Sequence, residues 1–197
     1  MLKIDADAHV LETEKTWEYM EGSERKFRPQ VVGSTDGSSD DEYWLVDGTL
    51  RLKSRNVGKN TPMASRELRD VTARLNHIDE LGVDIQVIFP TIFIIPLTPR
   101  PEIDLALCRS YNRWMADIWR QAKDRLRWVA VLPLLSMDKV YDEAKFAKER
   151  SAFSARIGMR SAAERFLFFP TLRRRQPIEL ADLHSLRYRQ SNLVQLL

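Results

Sequence analysis

The sequence contains little cysteine and no long apolar segment. Its 197 residues include one cysteine, Cys108, which excludes an intrachain disulfide framework and favours a reducing compartment. The longest apolar run, residues 87–97, is interrupted by Pro90 and Pro96 and is far shorter than the ~20 residues that span a bilayer. The first residues carry neither the basic cluster nor the apolar core of a signal peptide. We therefore expect a cytoplasmic protein without a membrane partner.

Lysine is absent from the last part of the chain. All 9 lysines precede position 150, whereas residues 151–197 hold 8 arginines and 3 acidic residues. This change predicts a boundary near residue 150, between a nearly charge-balanced part, 1–150, and an Arg-rich tail. The arginine run at 173–175 is short and lacks interleaved aromatic residues. A solvated face is therefore favoured over a nucleic-acid partner.

The hydrophobic patterns predict an alternation of strands and helices. Strands are expected at 2–10, 83–91 and 125–134, and helices from Ser65 to Leu81, after Pro99 and Pro101, and after Ser136. The second and third strands are almost continuously apolar, as in parallel strands that are buried on both faces. The order of elements predicts an α/β fold with right-handed βαβ units on a parallel sheet.

A long polar connection, residues 20–64, interrupts this alternation after the first strand. Residues 40–52 indicate a hairpin, because strand-forming residues flank the turn pair Asp47-Gly48. Connections of this length often carry function. Trp44 is therefore a candidate substrate contact in a lid, and the alternative is a small core within the hairpin.

The candidate chemistry lies in the first strand, LKIDADAHV. Asp5, Asp7 and His9 alternate along it, and alternate side chains of a strand share one face. The opposite face is expected to bury the apolar side chains Ile4, Ala6, Ala8 and Val10. Imidazole and carboxylate groups both suit zinc, so Asp7 and His9 are candidate metal ligands. Asp5 is favoured as a hydrogen-bonded acid, and an edge strand with a solvated polar face is the alternative for all three.

Four segments carry a family resemblance. They are IDADAHVLE at 4–12, RLNHIDELGVDIQVIFPT at 74–91, Asn112-x-Trp114 and DRLRWVAVLPL at 124–134. Together they resemble the amidohydrolase-related family, in the branch that contains aminocarboxymuconate-semialdehyde decarboxylase, over residues 2–150. The resemblance implies a TIM-type barrel and hydrolysis or decarboxylation of a small, aromatic or unsaturated carboxylate.

The resemblance also implies particular site residues. One divalent metal, usually zinc, is expected at the C-terminal ends of the strands, with Asp7 and His9 as its two first-strand ligands. Thr91 follows the second predicted strand at that end, so it is a candidate substrate contact. The alternative for Thr91 is a hydroxyl that serves only the loop.

The later ligands of that family have no counterpart in this sequence. The family takes a histidine from the fifth strand, often one from the sixth, and an aspartate from the eighth. A TIM barrel needs eight βα units over ~250 residues, whereas the pattern here predicts a barrel truncated to about three or four. A shifted reading frame near residue 150 would explain the tail, and the codons of another frame would test it. Three hypotheses follow: an enzyme, completed in a homo-oligomer; an inactive fragment; or a basic binding module. For the chain alone, weak or absent activity is expected.

Overall fold

Strands and helices alternate along most of the described chain. The computed structural model describes residues 2–33, 42–53, 61–122 and 124–152, and the backbone of 154–157 and 165–168. The strands are β1 (Ile4–Val10), β2 (Gln30–Gly33), β3 (Glu42–Val46), β4 (Thr49–Leu52), β5 (Ile85–Pro90), β6 (Leu126–Val131), β7 (Ser154–Ile157) and β8 (Arg165–Phe168). The α-helices are α1 (Glu14–Trp17), α2 (Met63–Arg66), α3 (Val71–Glu80), α4 (Pro101–Gln121) and α5 (Met137–Glu149). Gly22–Phe27 and Ile92–Ile94 form 3-10 turns.

The three predicted strands, β1, β5 and β6, have the parallel arrangement that the sequence predicts, and two further strands extend their sheet. β1, β5, β6 and β7 lie side by side and run parallel, and β8 returns antiparallel to β7. Helices α3, α4 and α5 connect successive parallel strands, as in βαβ units. Over the described ranges this sheet is open, with β1 at one edge, and it does not close into a barrel.

The sheet packs against a long helix. Pro101 is the first residue of α4, as expected from its position. A buried stripe at helical spacing runs along α4 and consists of Ile103, Leu107, Tyr111, Trp114 and Ile118. Asn112 binds both backbone groups of Val131 at 2.9 Å and so ties α4 to the end of β6. Of the helices in the described ranges, none combines the length and the apolar character that a membrane crossing requires.

Of the expected helix starts, the one at Ser65 is wrong and the one after Ser136 is confirmed. Residues 65–81 form two helices rather than one, because the chain turns at the buried residue Leu68, whose φ is +48°. Asp70 then caps α3 by accepting the Thr72 N–H at 2.8 Å. Ser136 stands at the N-cap of α5, but its hydroxyl lies 3.3 Å from the Pro101 carbonyl and does not cap the helix.

The segment after β1 forms a second, smaller sheet. β3 and β4 make the predicted hairpin, with Asp47 and Gly48 at φ values of +47° and +75° in the turn. β2, which the sequence pattern did not reveal, pairs antiparallel with the other side of β3. Asp47 reaches the loop before α4, where it accepts hydrogen bonds from Thr98 Oγ1 at 2.5 Å and Arg100 Nη1 at 3.1 Å. These bonds attach the hairpin turn to the segment between β5 and α4.

Candidate metal centre

The first strand contains a bulge where the candidate ligands begin. Asp5 stands opposite Gln86 and Ala8 stands opposite Ile88, so β1 takes three steps while β5 takes two. Because Gln86 and Ile88 are two apart, they face one side of the sheet. Asp5 and Ala8, their partners, therefore face that side too. The extra residue is a β-bulge, which changes the direction of the side chains that follow.

The bulge overturns the predicted alternation in the first half of β1. Asp5 faces the helices with Gln86, so it does not share a face with Asp7 and His9. The expected apolar face is also wrong in part: Ala8 is buried, whereas Ile4 and Ala6 are exposed. The expectation that Asp5 is a hydrogen-bonded core acid is confirmed for the hydrogen bond, which it accepts from Gln86 Nε2 at 2.7 Å, but the residue is only partly buried.

Asp7 and His9 remain together at the free edge of the sheet. Asp7 Oδ1 lies 3.8 Å from His9 Nε2, and the two side chains are 92% and 19% exposed. The His9 ring packs beside Phe89 of β5, with centroids 5.9 Å apart. Two ligands that bind a tetrahedral zinc at ~2.1 Å are about 3.4 Å apart. The observed separation of 3.8 Å between Asp7 Oδ1 and His9 Nε2 is close to that spacing.

The described residues do not add a third ligand to this pair. Across those ranges, no three histidine, cysteine, aspartate or glutamate side chains are grouped so as to hold a metal ion. His77 of α3 lies beside Glu80 instead, with Nδ1 3.6 Å from Oε2. His184 lies outside the described residues. As a zinc site, the pair would therefore lack at least one of the three or more protein ligands that such sites contain.

A buried carboxyl group, Glu12, lies at the C-terminal ends of β1 and β5. Its oxygens accept the backbone N–H groups of Thr91 at 2.9 Å and of Ile92 at 3.1 Å. Burial raises the pKa of Glu12 to about 7, although these N–H groups act in the opposite direction. Glu12 therefore joins the end of β1 to the turn after β5 and titrates near neutral pH. The resemblance included this residue but assigned it no role; its signal was an acid two residues after the end of a predicted strand.

The two candidate substrate contacts are both buried. Thr91 directly follows β5, and its Oγ1 has no hydrogen-bond partner among the described residues. Trp44 is 1% exposed, and Lys53 Nζ lies 5.4 Å from the centroid of its ring. Thr91 lies at the C-terminal end of β5, where its backbone N–H donates to Glu12 Oε1. Substrate contact by Thr91 or Trp44 stays a prediction.

A polar network that the sequence pattern did not predict connects α3 to β1 and β5 beside Asp7 and His9. Arg74 of α3 donates from Nε to Gln86 Oε1 at 2.7 Å and from Nη2 to the His9 carbonyl at 3.3 Å. Burial lowers the pKa of Arg74 to about 10, and the charge of Asp5 opposes that shift. Arg74 is therefore still a cation at neutral pH. The sequence signal was a polar residue, Gln86, inside an otherwise apolar strand.

Comparison with known proteins supports the fold. No family model matches the chain, and no curated protein does. An amidohydrolase, map2389c, from Mycobacterium avium subsp. paratuberculosis K-10 has a TM-score of 0.59 at 17% identity, over 78% of this chain and 48% of its own. The apo form of Metarhizium anisopliae IDCase has a TM-score of 0.51 at 12% identity, over 78% of this chain and 41% of its own. The chain thus spans less than half the length of either structure, and at these identities the likeness shows only that it shares part of their fold.

Proposed function

We propose that this chain carries the first-strand half of an amidohydrolase-type metal site, which acts in hydrolysis or decarboxylation of a small aromatic or unsaturated carboxylate. The observation that carries this proposal is the 3.8 Å approach of Asp7 Oδ1 and His9 Nε2. The approach occurs on a parallel sheet that resembles part of a solved amidohydrolase. Zinc is the metal proposed, because a carboxylate and an imidazole both suit it.

Several groups around the pair have defined tasks in this proposal. A divalent metal lowers the pKa of a bound water or polarises a substrate oxygen. Phe89 packs against the His9 ring and limits its rotation. Glu12 holds the Thr91 and Ile92 backbone, so that the turn after β5 keeps its place beside β1. Thr91 Oγ1 is the proposed hydrogen-bond donor to the substrate.

Metal binding by the purified full chain tests the site. We expect titration with Zn²⁺, followed by calorimetry, to show one site that is lost in Asp7→Ala and His9→Ala. His77→Ala is the matched control, because His77 pairs with Glu80 away from this edge, and it should bind as the unchanged chain does. Equal binding by the unchanged chain and His9→Ala contradicts the proposed site. Loss of binding in His184→Ala would add the tail as a source of the third ligand.

Turnover tests the reaction. The zinc-loaded chain is incubated with small aromatic and unsaturated carboxylates, and release of carbon dioxide is measured beside hydrolysis products. Because the described residues provide two candidate ligands, we expect weak zinc binding and weak or absent turnover. Turnover that survives in His9→Ala contradicts the proposed activity, and no turnover at all in zinc-saturated protein favours the inactive fragment.

The alternatives stay predictions. A homo-oligomer that completes the site should bind zinc only at protein concentrations above those at which it dissociates into monomers. Sedimentation at several protein concentrations would measure that dissociation. A basic binding module should bind DNA or RNA with an affinity that falls steeply with salt. The Arg-rich segment on which that hypothesis depends lies outside the described residues.

A further inference from the structure

The bulge in β1 is held by a continuous chain of hydrogen bonds. The Asp7 N–H donates to Asp5 Oδ1 at 3.1 Å, and Gln86 Nε2 donates to Asp5 Oδ2 at 2.7 Å. Gln86 Oε1 in turn accepts from Arg74 Nε at 2.7 Å. The chain therefore links a buried cation on α3 to the backbone of a candidate metal ligand.

The same arginine also holds the second candidate ligand. Arg74 Nη2 lies 3.3 Å from the His9 carbonyl, and Nη1 donates to the Ser65 carbonyl at 3.1 Å. One guanidinium group thus contacts β1 directly and, through Gln86, reaches the bulge. The guanidinium contacts the backbone of His9 directly and reaches the backbone of Asp7 through Gln86 and Asp5. Both candidate ligands are therefore held by Arg74.

Each bond in this chain has a defined direction. Arg74 can only donate, so Gln86 must present Oε1 to it and Nε2 to Asp5. Asp5 must then accept twice, once from Gln86 and once from the Asp7 N–H. An asparagine at position 5 can accept only one of these two bonds. In either orientation its NH₂ group faces a donor, which is either Gln86 Nε2 or the Asp7 N–H. The network is therefore specific for a carboxylate at position 5.

We propose that Asp5, Gln86 and Arg74 are positioning residues that fix the bulge of β1 and thereby the spacing of the Asp7 and His9 donors. In a regular strand Asp5 would face the same side as this pair. In the bulged strand it faces Gln86 and holds the Asp7 backbone. The effect on metal binding rests on the proposed function, whereas the effect on the bulge does not.

A swap of donor and acceptor tests the network. Asp5→Asn breaks it, whereas the double variant that combines Asp5→Asn with Gln86→Glu restores it, because the new carboxylate accepts from both Arg74 and the new amide. We expect Asp5→Asn to weaken Zn²⁺ binding by about 10- to 100-fold, as is usual for groups that orient metal ligands. The double variant should recover most of that loss. The control is Asp79→Asn, which removes the acid of α3 that pairs with Arg125. It should bind zinc as the unchanged chain does.

A second measurement needs no metal. Hydrogen exchange of the Asp7 amide, followed by NMR in the metal-free protein, should be slow in the unchanged chain and in the double variant and fast in Asp5→Asn. Unchanged zinc affinity and unchanged Asp7 exchange in folded Asp5→Asn overturn the inference, as does a double variant that recovers stability but not zinc affinity. Should Asp5→Asn not fold, fast Asp7 exchange in the double variant overturns it. If His9→Ala binds zinc normally, the proposed function fails, and the exchange data still decide whether the bulge depends on Asp5.

Discussion

Trp44 of β3 lies edge-on against Trp17 of α1, with ring centroids 5.9 Å apart and ring planes at 87°. Trp17 also packs beside Phe93, which follows β5, at a centroid distance of 6.3 Å. Both tryptophans are almost wholly buried. The small sheet is therefore connected to the core of the main sheet through aromatic contacts. The burial of Trp44 therefore contributes to the stability of the fold, whether or not Trp44 also contacts a substrate.

The first prediction concerns Trp44. Trp44→Ala should lower the free energy of unfolding by about 3–5 kcal/mol, because it removes a large buried side chain and leaves a cavity. Trp44→Phe should cost clearly less, because an aromatic ring still reaches Trp17. Urea denaturation measures both. The control is Leu50→Ala on the exposed face of β4, where a change of about 0.5 kcal/mol or less is expected. A stable Trp44→Ala with impaired substrate binding would instead favour a lid.

The second prediction concerns pH and Glu12. Its pKa is about 7 in the folded chain against 4.5 for the unperturbed group, so the folded state keeps a proton that the unfolded chain releases. The contribution of protonated Glu12 is complete below pH 4.5 and is lost as the pH rises through about 7. That loss corresponds to about 3 kcal/mol. Glu12→Gln does not titrate, so its stability should lack this decline.

Thermal unfolding from pH 4.5 to 8 measures the effect of Glu12. The difference between the unchanged chain and Glu12→Gln should change steadily across this window. Glu14→Gln, at an exposed position on α1, is the control and should follow the unchanged chain. A constant difference for Glu12→Gln across the window would contradict the assigned pKa.

The third prediction concerns Glu143 of α5. Its buried carboxylate accepts from Arg113 Nη1 at 2.9 Å, Arg109 Nε at 3.3 Å and Asn112 Nδ2 at 3.2 Å. Glu143→Ala leaves these donors without their common acceptor, so the free energy of unfolding should fall by about 2–4 kcal/mol, a range set below that of wholly buried pairs because both arginines are partly solvated. Glu149→Ala, on the same helix but exposed, should cost less than about 0.5 kcal/mol. Similar losses in the two variants would contradict this assignment.

The fourth prediction concerns the hairpin turn. Asp47→Ala removes the acceptor for Thr98 and Arg100 and leaves alanine at a φ of +47°, which is unfavourable for a residue without a polar side chain. We expect a loss of about 1–3 kcal/mol and faster amide exchange in β3 and β4. Asp47→Asn tolerates the same backbone and should lose less. Equal exchange in Asp47→Ala and the unchanged chain would show that the turn needs no attachment.

Local signals were sufficient for several elements of the two sheets and for the start of the long helix. The apolar runs at 83–91 and 125–134 contain β5 and β6, Pro101 begins α4, and Asp47-Gly48 turns the hairpin. Each of these signals depends on a residue's own backbone preference or on the burial of a short run. The boundary near residue 150 and the Arg-rich tail stay predictions.

Long-range pairing decided the details of the site. The proximity of Asp7 and His9 follows from their spacing of two in a strand, and the sequence predicted it. The bulge, the orientation of Asp5 and the roles of Gln86 and Arg74 depend on how β1 aligns with β5, 81 positions away for the Asp5–Gln86 contact. The break at Leu68 likewise follows from burial of that side chain in the assembled core.

The sequence by itself determined the alternating α/β order and the pairing of a carboxylate with an imidazole in the first strand, because both follow from periodicities of two and 3.6 residues along the chain. Only the tertiary structure decided that Asp5 faces Gln86 rather than Asp7 and His9, and which buried groups, Glu12 and Arg74, hold the strand ends. Burial and register arise when distant segments meet, and no pattern within one segment specifies them.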